Sequence, residues 1–170
     1  SIITVVGVGG AGGNAVNHMW NLGIRGVTFM VCNTDQQALD KSPVERKIRL
    51  GSEGLGAGND PENGRRAAVE SLPEIRQVLE EAGTKMLFIT AGMGGGTGTG
   101  ASPVIAKLAK EMGLLTVAIV TSPLAVEGKI RYEQAFRGIE ELRQNTDSLL
   151  IINNENILEI YGRLSLKQAF

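Results

Sequence analysis

A run of glycines and threonines constrains this chain more than any other feature of its sequence: Ala91-Gly92-Met93-Gly94-Gly95-Gly96-Thr97-Gly98-Thr99-Gly100. The apolar stretch 86–90 before it predicts a buried strand, and the spacing of apolar residues in 101–112 predicts a helix after it. Glycine costs backbone entropy when it is ordered, so a plain connection would hold far fewer of them. The run therefore predicts a loop whose backbone N–H groups, with the helix N-terminus behind them, hold a phosphate.

This phosphate loop is not a Walker A loop, because no Lys-Ser or Lys-Thr pair follows its glycines. We expect alanine at Gly96 or Gly98 to weaken binding more than alanine at Thr34, since a methyl group there clashes with the phosphates or strains the backbone. The candidate binding residues offer backbone N–H or hydroxyl donors and are Gly92, Gly94, Gly95, Gly96, Thr97, Gly98 and Thr99.

A second glycine turn lies near the start of the chain, between an apolar strand at 2–8 and a helix expected at 14–22. Residues 7–12 satisfy the G-x-G-x-x-G pattern of dinucleotide-binding folds, and the strand–turn–helix context is correct. The candidate binding residues of this turn are Gly9, Gly10, Ala11, Gly12, Gly13 and Asn14.

Two polar residues, Asn33 and Asp35, follow the next predicted strand, 27–32, and are further candidate contacts. Asp35 lies about 20 residues beyond the first glycine turn, where dinucleotide folds carry a ribose-binding acid. It is equally suited to cap a short helix at 36–41. The two roles are compatible, and both stay open.

A glycine-rich segment at 51–64 has the length and composition of a loop that folds over a ligand, although a solvated surface loop fits the same pattern. Ala57 and Gly58 are its candidate contacts. One helix with a break or kink near Pro73 is expected to follow over 63–82.

The rest of the chain continues the alternation of strands and helices. Further strands are predicted at 47–50, 114–121 and 149–152, a helix at 131–144, and a short helix through Tyr161 after the polar residues 153–156. The alternation predicts a three-layer, Rossmann-like α/β fold: a mainly parallel sheet with helices on both faces. Ligands of such sheets bind outside the carboxyl ends of the strands, so the loops named above predict one nucleotide site.

Composition favours a cytoplasmic globular domain. The 170 residues suit one domain, the net charge of −1 gives no sign of a nucleic-acid surface, and the single cysteine, Cys32, is expected to be a buried strand residue. Without a signal peptide or a long apolar run, no membrane insertion is expected. The chain begins inside a strand and ends without a helix stop signal, so we expect it to be part of something longer.

Two glycine turns, rather than the one of a plain dinucleotide fold, favour a mononucleotide with a di- or triphosphate. The usual nucleophile constellations are absent, and His18 is the only histidine, so any hydrolysis would use water positioned by carboxylates or by a partner. No metal site is expected, since no Cys/His cluster suggests zinc. The alternative is an NAD-dependent oxidoreductase, supported by residues 7–12 and Asp35. The second glycine loop and the missing general acid or base stand against it.

Several segments together resemble the tubulin/FtsZ family of GTPases. They are the signature-like loop at 94–100, the turn at 8–17, which is very similar to that of bacterial FtsZ, and 33–35, 54–58 and 122–129. The resemblance implies a cytoskeletal GTPase that polymerises head to tail and forms the division ring in the cytoplasm. It implies GTP or GDP as the ligand, with Mg²⁺ bound through the phosphates.

The resemblance also implies roles for individual residues. Residues 10–14 and 95–99 would hold the phosphates, and Ala57 with Gly58 would lie against the γ-phosphate. The matching residues are Glu127 and Arg131 near the ribose, Asn154 for guanine and Phe170 for the face of the base. Pro123 lies with Glu127 in the loop at 122–129 and is a further candidate contact. The tip of that loop, 124–126, lacks the aromatic residue of many relatives.

By the resemblance, residues 1–170 are the GTP-binding N-terminal domain, and the family's central helix and C-terminal activating domain lie beyond them. The family's activating carboxylates belong to that second part and act on the nucleotide of a neighbouring subunit. We therefore expect this chain to bind nucleotide, to hydrolyse it slowly alone, and to cap a protofilament without extending it. Other division proteins would bind through parts outside the chain.

Overall fold

The computed structural model describes residues 2–123, 128–153 and 158–162, in which strands and helices alternate. The strands are β1 (Ile3–Val8), β2 (Thr28–Asn33), β3 (Arg46–Arg49), β4 (Met86–Gly92), β5 (Leu115–Ser122), β6 (Ser148–Asn153) and β7 (Leu158–Gly162). The helices are α1 (Gly9–Asn21), α2 (Gln36–Asp40), α3 (Pro61–Glu70), α4 (Leu72–Glu81), α5 (Thr97–Glu111) and α6 (Lys129–Gln144).

The strands form one sheet in the order β3-β2-β1-β4-β5-β6-β7. Neighbouring strands pair in parallel, except that β7 runs antiparallel to β6. In the central register Val8 lies opposite Cys32 on one side and Ala91 on the other, so β1, β2 and β4 end at the same level. The predicted fold class is confirmed, and the loops that follow these strands meet at one edge.

Each face of the sheet has its own core. On one face α3 to α6 pack over the strands, with Ile75, Ile105 and Leu142 among the buried side chains. On the other face α1 and α2 cover β1 and β2, where Trp20 and Phe29 meet edge to face with ring centroids 6.1 Å apart. Burial of apolar side chains on both faces explains the nearly continuous apolar sequences of β1 and β2.

Helical cover is thinner over β5 than over β1. Ala118 and Val120 are fully buried, whereas Val117 and Ile119, which point to the opposite face, are only half-buried. On that same face Leu115 keeps 49% of its surface exposed. Among the described residues, the expected cover on both faces is therefore complete for β1 and incomplete for β5.

Cys32 is fully buried in β2, as predicted. Its removal from water, with a further effect from the Glu74 carboxylate, raises the pKa of its thiol far above the ordinary value. The thiol is therefore a neutral part of the core.

Two predicted helices differ from those observed in where they begin or in whether they are continuous. Helix α1 begins at Gly9, not near Asn14, because the φ of +77° at Gly9 turns the chain directly from β1 into the helix. The helix expected over 63–82 is two helices, α3 and α4, with Pro73 in the first turn of α4, where no N–H donor is needed.

The prediction of a short helix through Tyr161 is wrong, since Leu158–Gly162 forms β7 and pairs with β6. Leucine and isoleucine alternate with other residues there at the period of a strand. Over the described residues, no helix combines the length and apolar character needed to cross a membrane.

Candidate functional site

An open cavity of about 430 Å³ lies at the carboxyl ends of β1, β2, β4 and β5. Most of the residues predicted for the site line it, although they come from distant parts of the sequence. Its described lining residues are Gly9, Gly10, Ala11, Asn33, Thr34, Asp35, Ala38, Gly56, Ala57, Gly58, Asn59, Gly92, Met93, Gly95, Gly96, Thr97, Gly98, Thr121, Ser122, Pro123 and Arg131.

Two helices, α1 and α5, begin at this cavity without a side-chain cap. By contrast, α2 and α3 begin with carboxylate caps: Asp35 accepts from the N–H of Gln37 at 2.9 Å, and Asp60 accepts from that of Glu62 at 3.0 Å. An uncapped N-terminus keeps N–H donors and the positive end of the helix dipole available. The two uncapped ends therefore make the cavity suitable for a polyanion such as a di- or triphosphate.

The glycines at the cavity fall into two groups. A Cβ atom at Gly10 would meet no atom within 4 Å, and at Gly95 it would come no closer than 3.8 Å to Asn59 Oδ1. A Cβ atom at Gly96 would lie 2.6 Å from that of Ala57, and one at Gly98 would overlap the carbonyl oxygen of Gly92. Alanine at Gly96 or Gly98 was expected to clash with the phosphates or strain the backbone. In the structure its methyl group would clash with other atoms of the protein even without a ligand.

The threonines of the glycine loop also separate. Thr97, the first residue of α5, lines the cavity, and its Oγ1 lies 2.7 Å from Oγ1 of Thr34. Thr99 is only 4% exposed and does not line the cavity; its hydroxyl oxygen accepts from the N–H of Gly94 at 2.6 Å. Thr99 therefore fixes the shape of the loop, while Thr97 presents a hydroxyl to the ligand space.

The segment before α3 is tied to the end of β2. The N–H of Gln36 donates to the carbonyl of Gly54 at 3.1 Å, and the N–H of Gly56 donates to that of Thr34 at 3.2 Å. These bonds bring Ala57 and Gly58 to the cavity, which they line as the sequence analysis predicted.

The end of β2 adds polar groups to the rim of the cavity. Asn33 Oδ1 accepts from the N–H of Asp35 at 3.1 Å, so the side chain of Asn33 shapes the turn in which Asp35 caps α2. Asp35 also lines the cavity, so its cap of α2 is compatible with the other predicted role, contact with a ribose. Among the described lining residues, the ionisable side chains are those of Asp35 and Arg131.

Some predicted site residues lie elsewhere. Gly12 packs under the cavity, where a Cβ atom would overlap the carbonyl oxygen of Thr90, and Gly94 adopts a φ of +112° beside Arg131. Gly13 and Asn14 line a smaller neighbouring cavity of about 260 Å³ instead. The predicted residues Glu127, Asn154 and Phe170 lie outside the described residues.

Sequence reasoning missed several lining residues, namely Thr34, Ala38, Gly56, Asn59, Met93, Thr121 and Ser122. The rule that ligands bind at strand ends could have identified Thr121 and Ser122, which end β5. Nothing in the sequence distinguished Asn59, which adopts a left-handed φ of 61°. Within the described part of the chain, no group of three or more His, Cys, Asp or Glu residues is placed to hold a metal ion.

Comparison with known proteins places these features in a family context. Residues 2–162 match the family described as "Tubulin/FtsZ family, GTPase domain". Cell division protein FtsZ of Porphyromonas gingivalis is 54% identical over 172 residues, which cover 99% of this chain and 38% of that protein. FtsZ 1 of Thermococcus kodakarensis is 52% identical over 171 residues, 99% of this chain and 45% of that protein. This chain thus spans about two fifths of the length of the curated relatives it matches.

Solved structures agree with the sequence matches. A structure described as an empty FtsZ dimer of M. jannaschii has a TM-score of 0.87 and 44% identity, and the match covers 98% of this chain and 49% of that one. CetZ2 from Haloferax volcanii, described as a GTPγS-bound protofilament, has a TM-score of 0.81 and 28% identity, with coverage of 91% and 50%.

Proposed function

Because this chain belongs to the tubulin/FtsZ family, we propose that it is the guanine-nucleotide-binding part of a cytoskeletal GTPase that assembles head to tail into a cell-division ring in the cytoplasm. One observation supports nucleotide binding above all others: the uncapped N-termini of α1 and α5 open into the same cavity. Two sets of free N–H donors match the charge of a diphosphate or triphosphate.

Different groups of cavity residues would contact the phosphates, the ribose and the base. Backbone N–H groups of 9–11 and 95–98 would hold the phosphates, with the Thr97 hydroxyl as an additional donor. Ala57 and Gly58 would lie against the γ-phosphate, and Pro123 and Arg131 beside the ribose. Asn154 and Phe170, which lie outside the described residues, would contact the guanine.

Mg²⁺ would accompany the nucleotide and supply charge neutralisation at the phosphates. It characteristically keeps several water ligands and binds through substrate phosphates together with one or two carboxylates. The described cavity fits this mode, since Asn33, Asp35 and Thr97, which all carry side-chain oxygen atoms, line it.

Hydrolysis would need groups from a neighbouring subunit. Asp35 supplies the carboxylate among the described lining residues, and the resemblance places the activating carboxylates beyond residues 1–170, in a neighbouring subunit. A positioned base for the attacking water is worth several kcal/mol, roughly 10²–10⁴-fold in rate. Two structural relatives support assembly by self-association, one described as a dimer and one as a protofilament.

An NAD-dependent oxidoreductase is the weaker candidate. The G-x-G-x-x-G pattern at 7–12 does form a strand–helix turn, as such an enzyme requires. However, the GTPase-domain match extends over residues 2–162, and the second glycine loop at the same cavity suits a polyphosphate better than a dinucleotide.

Nucleotide titration tests this proposal. We expect isothermal calorimetry to show GDP and GTP binding at least about tenfold more tightly than ATP or NAD, a difference of about 1.4 kcal/mol. ATP is the matched control for the base, since it offers the same triphosphate as GTP. Tighter binding of NAD than of GDP would contradict the proposal.

A further inference from the structure

We propose that Thr34 is a positioning residue for the bound nucleotide: its hydroxyl donates to Thr97 and so reserves the Thr97 proton for a phosphate oxygen. The two Oγ1 atoms lie 2.7 Å apart, although their residues are 63 positions apart in sequence. This inference rests on the proposed function, because it assigns a further role within the same cavity.

Counting protons fixes the direction of the bond when Thr97 is the residue that contacts a phosphate. Each threonine hydroxyl has one proton and can accept through its oxygen, and the 2.7 Å bond uses one of the two protons. A phosphate oxygen only accepts at neutral pH, so Thr97 can contact it only by donating. Its oxygen then remains to accept from Thr34, and the two bonds polarise each other in the same direction.

The hydroxyl of Thr34 is held in place before any ligand arrives. Thr34 is 5% exposed, and its β-branched side chain has few rotamers available. Its carbonyl accepts from the N–H of Gly56 at 3.2 Å, while the preceding carbonyl, of Asn33, accepts from Leu50 at 2.8 Å. These bonds fix the backbone of Thr34, and the burial of its stiff side chain limits the directions in which the hydroxyl can point.

The position of Thr97 explains why a hydrogen bond from Thr34 would affect phosphate binding. It is the first residue of α5, and the helix has no side-chain cap at this end. Without Thr34, the Thr97 hydroxyl could rotate towards other acceptors, so its proton would not be aimed at the phosphates. The bond from Thr34 thus prepares one donor of the phosphate site, as supporting shells do in preorganised sites.

Thr34→Val and Thr34→Ser separate the hydroxyl from the shape of the side chain. We expect Thr34→Val, which keeps the shape, to weaken binding of GDP and of a non-hydrolysable GTP analogue about tenfold, a typical effect of losing a hydrogen bond near a charged group. Thr34→Ser keeps the hydroxyl and should bind within about threefold of the wild type. Calorimetry measures the affinities, and urea unfolding measures the stability of each variant.

A second threonine pair provides the matched control. Thr4 and Thr84 also place their hydroxyl oxygens 2.6 Å apart in a buried position, but at the amino ends of the strands. Thr84→Val removes the same kind of bond far from the cavity. It should therefore lower stability without changing nucleotide affinity.

Thr97→Val completes a double-mutant cycle. If Thr34 acts through Thr97, adding Thr34→Val to Thr97→Val should weaken binding by less than about twofold. Should Thr34→Val fail to fold, Thr34→Ala removes the same hydroxyl without adding volume and takes its place in the cycle.

Several outcomes would overturn the inference: wild-type affinity in Thr34→Val, equal losses in Thr34→Val and Thr34→Ser, or additive losses in the cycle. Each of these leaves guanine-nucleotide binding by the wild type intact, so the proposed function would stand. Failure of the wild-type chain to bind GDP or GTP would overturn both.

Discussion

Alanine at Gly98 is expected to lower the free energy of unfolding by at least about 3 kcal/mol, a large part of the roughly 5–15 kcal/mol typical of a native domain. The new methyl group would overlap the carbonyl oxygen of Gly92. Gly92 ends β4 and Gly98 lies in the first turn of α5, so backbone hydrogen bonds hold both and no rotamer change relieves the overlap. Urea denaturation followed by far-ultraviolet circular dichroism measures the loss.

Gly10→Ala is the matched control, since it makes the same chemical change in the other glycine turn, where a methyl group meets no protein atom within 4 Å. We expect wild-type stability but about tenfold weaker GDP binding, because the methyl group occupies space that the phosphates need. A Gly98→Ala protein as stable as the wild type would contradict the packing argument. Unchanged GDP affinity in Gly10→Ala would show that the α1 turn does not contact the phosphates.

The isolated chain is expected to turn over GTP at least about a hundredfold more slowly than a complete relative, because no base for the attacking water is evident in its described cavity. The cavity-bearing end would still dock onto the opposite end of a complete subunit. Titrated into assembling FtsZ of Porphyromonas gingivalis, a 54% identical relative, the chain should reduce polymer in proportion to its dose. Phosphate release and light scattering measure the two effects.

Gly10→Ala again serves as the control, because a variant with weakened nucleotide binding should inhibit assembly less than the wild type. Rapid GTP turnover that rises linearly with the concentration of the isolated chain would contradict this account. It would locate a catalytic group within these 170 residues.

The architecture could be predicted because local patterns determine it. Continuous apolar runs such as 2–8 and 86–90 are typical of buried strands, and the segments between the strands carry apolar residues at helical spacing. The carboxyl ends of parallel strands share an edge, so the location of the site followed from the order of elements alone. At Leu158–Gly162 the strand-like alternation covers only five residues, which is too short to predict a strand without knowledge of its pairing with β6.

The roles of individual residues within the site were harder to predict. Some glycines, such as Gly10, leave space for a ligand, and others, such as Gly98, allow close contact with another part of the backbone. The sequence alone does not distinguish the two kinds. Likewise Thr99, a predicted ligand donor, is buried under the loop, whereas Thr34, for which a smaller effect on binding was expected, lines the cavity and pairs with Thr97. Such distinctions depend on contacts between segments that are distant in sequence.

The buried thiol of Cys32 provides a native probe of how often the core around β2 opens. A disulfide reagent can modify the only cysteine of the chain solely in molecules whose β2 core has opened, so the modification rate follows the opening equilibrium. A nucleotide that binds only the closed form slows modification by the factor one plus its concentration over Kd, about a hundredfold at 100 times Kd. Above the ordinary thiol pKa, the opened chain gains a thiolate that the closed form excludes, so rising pH favours opening as well as reaction. The strand that contributes Asn33 to the cavity therefore also carries a native thiol whose modification rate reports nucleotide binding.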